Sequence, residues 1–261
     1  MNHPQKPVVL LIDDNEEILE FLEEELGEKY GLLKATSAEE ALLIIKEESI
    51  QLIISDVMMP GMDGFALCRF IKSDVEFSHI PIILLTAKNT LQSKIEGLEI
   101  GADAYIEKPF SPAYLQAQIL NLLVSRNKLR EYFASSPLVH IKSMAYSRAD
   151  EHFLEDLHQS IEKHIADEEL DVEKLARHMA VSRPTLYRKI KAISDLTPNE
   201  LIHIARLKKA AELLAAGKHK MYEITEMVGY PSQVAFSRSF SKQFGMTPTE
   251  YQRRETAAGK K

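Results

Sequence analysis

The feature that most limits what this chain can fold into lies in its first half, where short aliphatic runs alternate with helical stretches. Val8–Ile12, Leu32–Ala35, Leu52–Ser55, Ile80–Leu85 and Ala104–Ile106 read as strands. Between them, Glu16–Leu26, Ala38–Glu47, Phe65–Lys72 and Leu91–Ile100 carry apolar residues three and four apart, and Pro112 opens a last helix through Leu123. This alternation predicts an α/β unit: a parallel sheet with helices on both faces, because parallel strands need crossovers and crossovers are right-handed. In such sheets ligands bind beyond the carboxyl ends of the strands. Those ends offer Asp13 and Asp14, then Asp56, Thr86 and Lys108.

Three carboxylates at one sheet edge repel one another, and each has a raised pKa unless a cation neutralises them. Magnesium suits one or two carboxylates with a backbone carbonyl and waters, and leaves positions open for a phosphoryl oxygen. Lys108 adds a positive point charge and Thr86 a hydroxyl donor, so the set suits a phosphoryl group with one aspartate as its acceptor. Taken singly, Asp13 or Asp14 reads equally well as the N-cap of Glu16–Leu26, and Lys108 as a solvated turn residue. No Walker motif and no G-x-G-x-x-G occurs, so nucleotide binding has no support.

At roughly 150 residues per domain, 261 residues predict two domains. With 45% apolar and 27% charged residues the chain has the composition of a globular protein. Its apolar runs fall short of the ~18 residues of a membrane helix, and residues 1–7 lack a signal-peptide core, so a cytoplasmic location without membrane insertion is expected. The one cysteine, Cys68, beside Leu67 and Phe70, reads as a buried hydrophobe. The net charge of −7 hides a split. Residues 1–125 carry 9 Lys and Arg against 21 Asp and Glu, whereas residues 182–261 carry 15 against 7. Such asymmetry points to a polyanion as partner of the basic part.

That basic part contains an internal repeat. Fifty residues apart, Leu186, Arg188, Ile190 and Thr197-Pro198 match Phe236, Arg238, Phe240 and Thr247-Pro248. Upstream, Leu175, Met179, Ala180 and Val181 match Ile224, Val228, Gly229 and Tyr230 at an offset of forty-nine. Each copy reads as helix, tight turn and second helix capped by Ser182 or Ser232, closing on a Thr-Pro-x-Glu capping box. Helix, turn and basic second helix is the helix-turn-helix arrangement, whose second helix enters the DNA major groove. Leu186, Ile190 and Ile193 are expected inward, with Arg183, Tyr187, Arg188 and Lys191 outward. In the second copy Phe236 and Phe240 pack, leaving Gln233, Ser237 and Arg238 available. Arg reads guanine and Gln adenine, while Lys191 and Lys242 suit phosphate. His158 and His164 lack metal-ligand spacing and are expected on the surface.

The first half resembles the receiver domain of two-component response regulators. The resemblance covers residues ~7 to ~124 and rests on Asp13-Asp14, Ser55-Asp56 through Gly64, Leu85-Thr86-Ala87 and Tyr105 through Phe110. It implies a flavodoxin-like (βα)5 fold in which Asp56 accepts a phosphoryl group from a histidine kinase or phosphotransfer protein. Magnesium would be held by Asp14 and Asp56 with the Met58 carbonyl, and by Asp13 largely through water. Lys108, before a cis Lys108-Pro109 bond, would pair with the phosphate. Thr86 would swing toward the phosphoryl oxygens as Tyr105 turns inward.

Residues ~151 to ~254 resemble the all-α, double helix-turn-helix DNA-binding domain of AraC-type transcription regulators, most specifically at Met227 through Tyr230, Phe236 through Phe240 and Phe244 through Pro248. The resemblance implies that Pro198–Ala216 sets two recognition helices in successive major-groove turns. Pro184, Tyr187 and Arg188 then fall at contact positions in the first unit, with Gln233, Val234, Ser237 and Arg238 in the second. Ala180 stands where the first turn often has Gly, and Pro184 where a larger hydrogen-bonding side chain is common. The expected division is a receiver over 1–125, a linker over 126–150 and a DNA-binding domain over 151–261. Leu115, Ile119, Leu122, Leu129 and Phe133 keep helical spacing, so the receiver's last helix is expected to extend to about Phe133 and to pair in a homodimer. A helix from Phe153 to Ile165 is expected to pack on the first helix-turn-helix. The chain then reads as a phosphorylation-controlled transcription regulator, not an enzyme beyond self-phosphorylation and autodephosphorylation, with RNA polymerase a further partner. The alternative is the receiver and output end of a hybrid sensor histidine kinase. A phosphatase reading lacks an Asp-x-Asp nucleophile motif and leaves the repeat unexplained.

Overall fold

Strands buried on both faces need aliphatic residues at every position, and the computed structural model pairs these runs as one parallel sheet. The structure describes residues 6–87, 99–135, 145 and 147–258; of the expected helix Leu91–Ile100 only Glu99 and Ile100 lie among them. The chain divides into two compact units, Met1–Leu129 with Ala145–Asp150, and Arg130–Met144 with Glu151–Lys261.

In the first unit β1 (Val8–Ile12), β2 (Gly31–Ala35), β3 (Leu52–Asp56), β4 (Ile82–Thr86) and β5 (Ala104–Glu107) stand in the order β2-β1-β3-β4-β5. Leu10, Ile12, Ile53, Ile82 and Leu84 fill one face, and Val9, Leu11, Leu52, Ile54, Ile83 and Leu85 the other. β4 begins two residues later than the sequence reading because Pro81 has no N–H to pair; its carbonyl accepts from the Ile53 N–H at 2.9 Å. Helices α1 (Glu16–Leu26), α2 (Ala38–Glu47) and α3 (Gly64–Ser73) follow β1, β2 and β3. The cap of α1 is Asn15, whose side chain accepts from the Glu17 N–H at 2.9 Å, so neither preceding aspartate serves as N-cap.

Helix α4 (Pro112–Ser135) begins in this unit. Leu115 and Ile119 are buried in the unit's own core, which removes them from any partner surface; Ala113, Ala117, Leu120 and Val124 form the exposed side. Arg126 is buried and donates to Asp103 Oδ1 at 2.8 Å, while Lys72 donates to Asp103 Oδ2 at 2.7 Å and to the Ile80 carbonyl at 2.8 Å. One aspartate therefore ties α3, the approach to β5 and α4 together at the end of the sheet away from Asp56.

The second unit is helical among its described residues: α5 (Arg148–His164), α6 (Val172–His178), α7 (Arg183–Ser194), α8 (Pro198–Ala216), α9 (Met221–Met227), α10 (Gln233–Phe244) and α11 (Pro248–Ala258). α5 starts five residues before the expected Phe153, which is buried with Leu157 and Ile161. The repeat is visible in the backbone. Ala180 and Gly229 both turn through positive φ, at 53° and 67°, and Asp195 and Gly245 end the second helices at 59° and 69°. Glycine is required at Gly229, where a Cβ would stand 2.4 Å from the Ile165 carbonyl oxygen. The Thr197 and Thr247 hydroxyls each accept from the N–H of the glutamate three residues on, and each threonine N–H donates to that glutamate's carboxylate in return.

Candidate functional site

Each residue expected at the sheet edge follows from a strand end. Asp13 leaves β1 with its N–H donated to the Ala35 carbonyl at 3.2 Å, Asp56 closes β3, and Val57 is held by the Leu85 carbonyl at 2.9 Å. Lys108 is placed by its own N–H, which donates to the Thr86 carbonyl at 2.7 Å, and the bond after it, Lys108-Pro109, is cis. Asp13 is 2% exposed and Asp56 5%. Between them sits the Lys108 ammonium, 2.7 Å from Asp13 Oδ2 and 2.6 Å from Asp56 Oδ1. The remaining oxygens are occupied as well: the Asn15 N–H donates to Asp13 Oδ1 at 3.0 Å and the Met58 N–H to Asp56 Oδ2 at 2.7 Å.

Burial pushes the Asp13 carboxyl above its usual range, despite the hydrogen bonds from Lys108 and Asn15 that favour its charge. Burial works against the Lys108 ammonium too, yet its bonds to Asp13 and Asp56 leave it above the ordinary lysine value. Asp14 is exposed, and no three His, Cys, Asp or Glu among the described residues are gathered into a ready-made metal cluster. The expected convergence of three carboxylates is thus a convergence of two on one cation, with the third beside them in solvent.

The loop after Asp56 passes under α3 at Gly64, whose N–H donates to the Val57 carbonyl at 3.0 Å. A Cβ at Gly64 would meet the Asp56 carbonyl oxygen at 2.1 Å and the Val57 Cα at 2.9 Å, so only glycine lets α3 start this close to the end of β3. Sequence reasoning treated Gly64 as part of a motif; its role is steric. Thr86 is fully buried at the end of β4, one residue beyond Leu85, the parallel partner of Asp56. Tyr105 packs toward the core with its ring 6.4 Å from Phe65, and its hydroxyl is buried with no hydrogen-bond partner among the described residues. The Met58 side chain is exposed, and Cys68 is buried with its thiol pushed up to about 11.

In the second unit α7 buries Leu186, Ile190 and Ile193 and α10 buries Phe236 and Phe240. Arg183, Pro184, Tyr187, Arg188 and Lys191 are exposed on α7; Gln233, Val234, Arg238 and Lys242 are exposed on α10, with Ser237 half-buried. Lys191 is not a free cation, since its ammonium pairs with Asp195 at 2.7 Å. Lys189, which its charge would place on the surface, is fully buried with its ammonium 6.0 Å from the Phe153 ring centroid. His164 departs from expectation by being half-buried and stacked on His178 at 3.9 Å. Arg206 on α8 donates to the Asp167 carbonyl at 2.6 Å, and Tyr230 bonds His203 at 3.1 Å, which braces the second turn against α8.

Two family models match the chain: the response regulator receiver domain over residues 9–120 and a helix-turn-helix domain over 175–254. The chain is 39% identical over 250 residues to Histidine kinase P4 of Formosa agariphila, covering 96% of this chain and 18% of that protein. It is 41% identical over 126 residues to a probable transcriptional regulator, ycf27, of Pyropia yezoensis, covering 48% of this chain and 51% of that one. A crystal structure of the receiver domain of a signal transduction histidine kinase from Syntrophus aciditrophicus aligns at 35% identity and a TM-score of 0.44, over 46% of this chain and 91% of that one. The chain thus spans between 18% and 51% of the length of these two curated relatives. No described helix is long and apolar enough to cross a membrane.

Proposed function

The chain joins a response regulator receiver domain, residues 9–120, to an AraC-type helix-turn-helix domain, residues 175–254, and from that premise we propose that it is a phosphorylation-controlled DNA-binding transcription regulator. The observation that carries the reading is the Lys108 ammonium held between the buried carboxylates of Asp13 and Asp56, in a chain that also holds two copies of a DNA-reading unit. Asp56 is the phosphoacceptor: a carboxylate oxygen attacks the phosphorus of a phosphohistidine on a histidine kinase or phosphotransfer protein, the P–N bond breaks, and an acyl phosphate forms. Lys108, already 2.6 Å from Asp56, moves its charge onto a phosphoryl oxygen. Thr86 supplies a hydroxyl at the next strand end, and Tyr105 with Thr86 forms the switch pair.

The donor set fits magnesium. Asp13, Asp14, Asp56 and the Met58 carbonyl are hard oxygen donors, the ion needs only one or two carboxylates besides water, and burial of Asp13 makes a second cation favourable. When bound it would neutralise charge that develops on the transferring phosphoryl group.

The division we propose is a receiver over 1–125, a linker over 126–150 and a DNA-binding domain over 151–261, in a cytoplasmic protein. Phosphorylation biases a two-state receiver, favours a homodimer and raises DNA occupancy by avidity. The exposed side of α4 supports a helical dimer contact, since Ala113, Ala117, Leu120 and Val124 follow the four-three-four spacing of a packed seam. Base and phosphate contacts come from Arg183, Pro184, Tyr187, Arg188 and Lys191, and from Gln233, Val234, Ser237, Arg238 and Lys242. RNA polymerase is the further partner of a chain that activates.

A second reading is favoured by the 250-residue match to Histidine kinase P4, 39% identical and confined to 18% of that protein: the chain is the receiver and output end of a hybrid sensor kinase. Both readings share the phosphoacceptor. Acetyl phosphate with magnesium is expected to label wild-type protein with one hydroxylamine-labile phosphoryl group and to leave Asp56→Asn unlabelled. Equal labelling of the two would end the assignment.

A further inference from the structure

The second recognition helix carries an exposed hydrophobe that its own packing does not use. Val234 is 70% exposed, more than any other large hydrophobic residue described, while Phe236 and Phe240 on the opposite face are fully buried. It sits in the first turn of α10 with Gln233 and Arg238 exposed around it. The repeat places Pro184, also exposed, at the same position of α7 between Arg183 and Arg188. A single exposed valine is ordinary. Here the same helical position is apolar in both copies, within a face otherwise made of donors and cations.

In the major groove each base pair offers donors and acceptors, and one apolar group occurs, the C5-methyl of thymine. We infer that Val234 reads a thymine methyl under the second unit, with Pro184 making the corresponding contact under the first. The neighbouring Gln233 side chain has the paired donor and acceptor that match adenine N7 and N6, so the subsite under the amino end of α10 is built for A·T pairs. Arg183, at the position equivalent to Gln233, suits guanine instead, so the two units read different sequences and the site on DNA has a direction. This inference rests on the DNA-binding reading above and names what that interface selects.

The test uses the full chain, treated with acetyl phosphate and magnesium, and a pool of random-sequence duplexes. The enriched sequence is resynthesised with deoxyuridine replacing thymidine one position at a time, which removes only the methyl group. One thymine under the second unit should be methyl-sensitive, with wild-type affinity falling about fourfold on replacement, the effect of one buried methyl carbon. Val234→Ala should bind the methylated duplex more weakly and show no loss on replacement at that thymine. Pro184→Ala should lose sensitivity at a second thymine roughly one helical turn away. A site at which no thymine is methyl-sensitive, or a Val234→Ala variant that keeps the full penalty, would overturn this inference and leave DNA binding intact. A pool with no enrichment would overturn the DNA-binding reading and this one together.

Discussion

Replacing Gly64 by alanine isolates the steric demand at the loop that follows Asp56. The added Cβ would stand 2.1 Å from the Asp56 carbonyl oxygen and 2.9 Å from the Val57 Cα, both backbone atoms that cannot rotate away. Relief requires α3 and the Asp56-Val57 segment to separate by roughly 1 Å, and forced backbone shifts of this kind cost about 1–3 kcal/mol. The same shift moves the Asp56 carboxylate relative to Lys108, now 2.6 Å away. Misplacement by about 1 Å at a reacting centre can lower rate on the order of 100-fold. Gly31→Ala is the control, because its Cβ would meet nothing closer than the Val8 Cγ2 at 3.6 Å, an ordinary contact. Urea unfolding and the rate of acyl-phosphate formation should both fall in Gly64→Ala and stay near wild type in Gly31→Ala. Wild-type stability and labelling in Gly64→Ala, or equal damage from both substitutions, would refute the steric argument.

Other expectations follow from the same geometry. Asp13→Asn should stabilise the first unit at neutral pH, because burial holds the native carboxyl above its unfolded value and so penalises its ionised form. The gain should vanish as pH falls into the ordinary carboxylate range, where wild-type Asp13 is itself protonated; a gain that grows on acidification would contradict the sign. Lys108→Met should leave two buried carboxylates without their cation and cost about 2 kcal/mol, less than a fully buried pair because Lys108 is partly exposed. Added magnesium should then raise the melting temperature of Lys108→Met more than that of wild type. Ala180→Gly should stabilise the second unit by about 0.5–1 kcal/mol, since φ of 53° strains an alanine.

The inner strands were legible because both faces are buried: Val8–Ile12 and Ile82–Leu85 carry aliphatic residues without a polar interruption, a pattern that no exposed strand has. α1 and α2 have the bounds read from the sequence, since each is amphipathic between clear signals, Ser37 and Glu40 at the start of α2 among them. The chemistry of the sheet edge was legible as residue types at strand ends. Its arrangement was not: nothing local tells that Lys108 reaches both Asp13, 95 residues away in the chain, and Asp56. The Arg126-Asp103-Lys72 tie was missed for the same reason, its members being 23 and 31 residues apart. Lys189 was missed because its charge argues for solvent, although it lies three residues from Leu186 on the edge of the inward stripe. The repeat was the strongest signal of the second half, and its two positive-φ turns share the offset read from the residues.

The central claim is that the state of Asp56 controls occupancy of DNA by residues 175–254. The direct measurement is fluorescence anisotropy of an enriched duplex titrated with the full chain, with and without acetyl phosphate and magnesium, for wild type and Asp56→Asn at fixed salt. Phosphodonor should tighten wild-type binding by about 100-fold or more, the lower end of the ~100–10,000-fold avidity gain of a dimer, and leave Asp56→Asn unchanged. Equal affinity of wild type in the two conditions, with Asp56 verified as phosphorylated, would contradict the account.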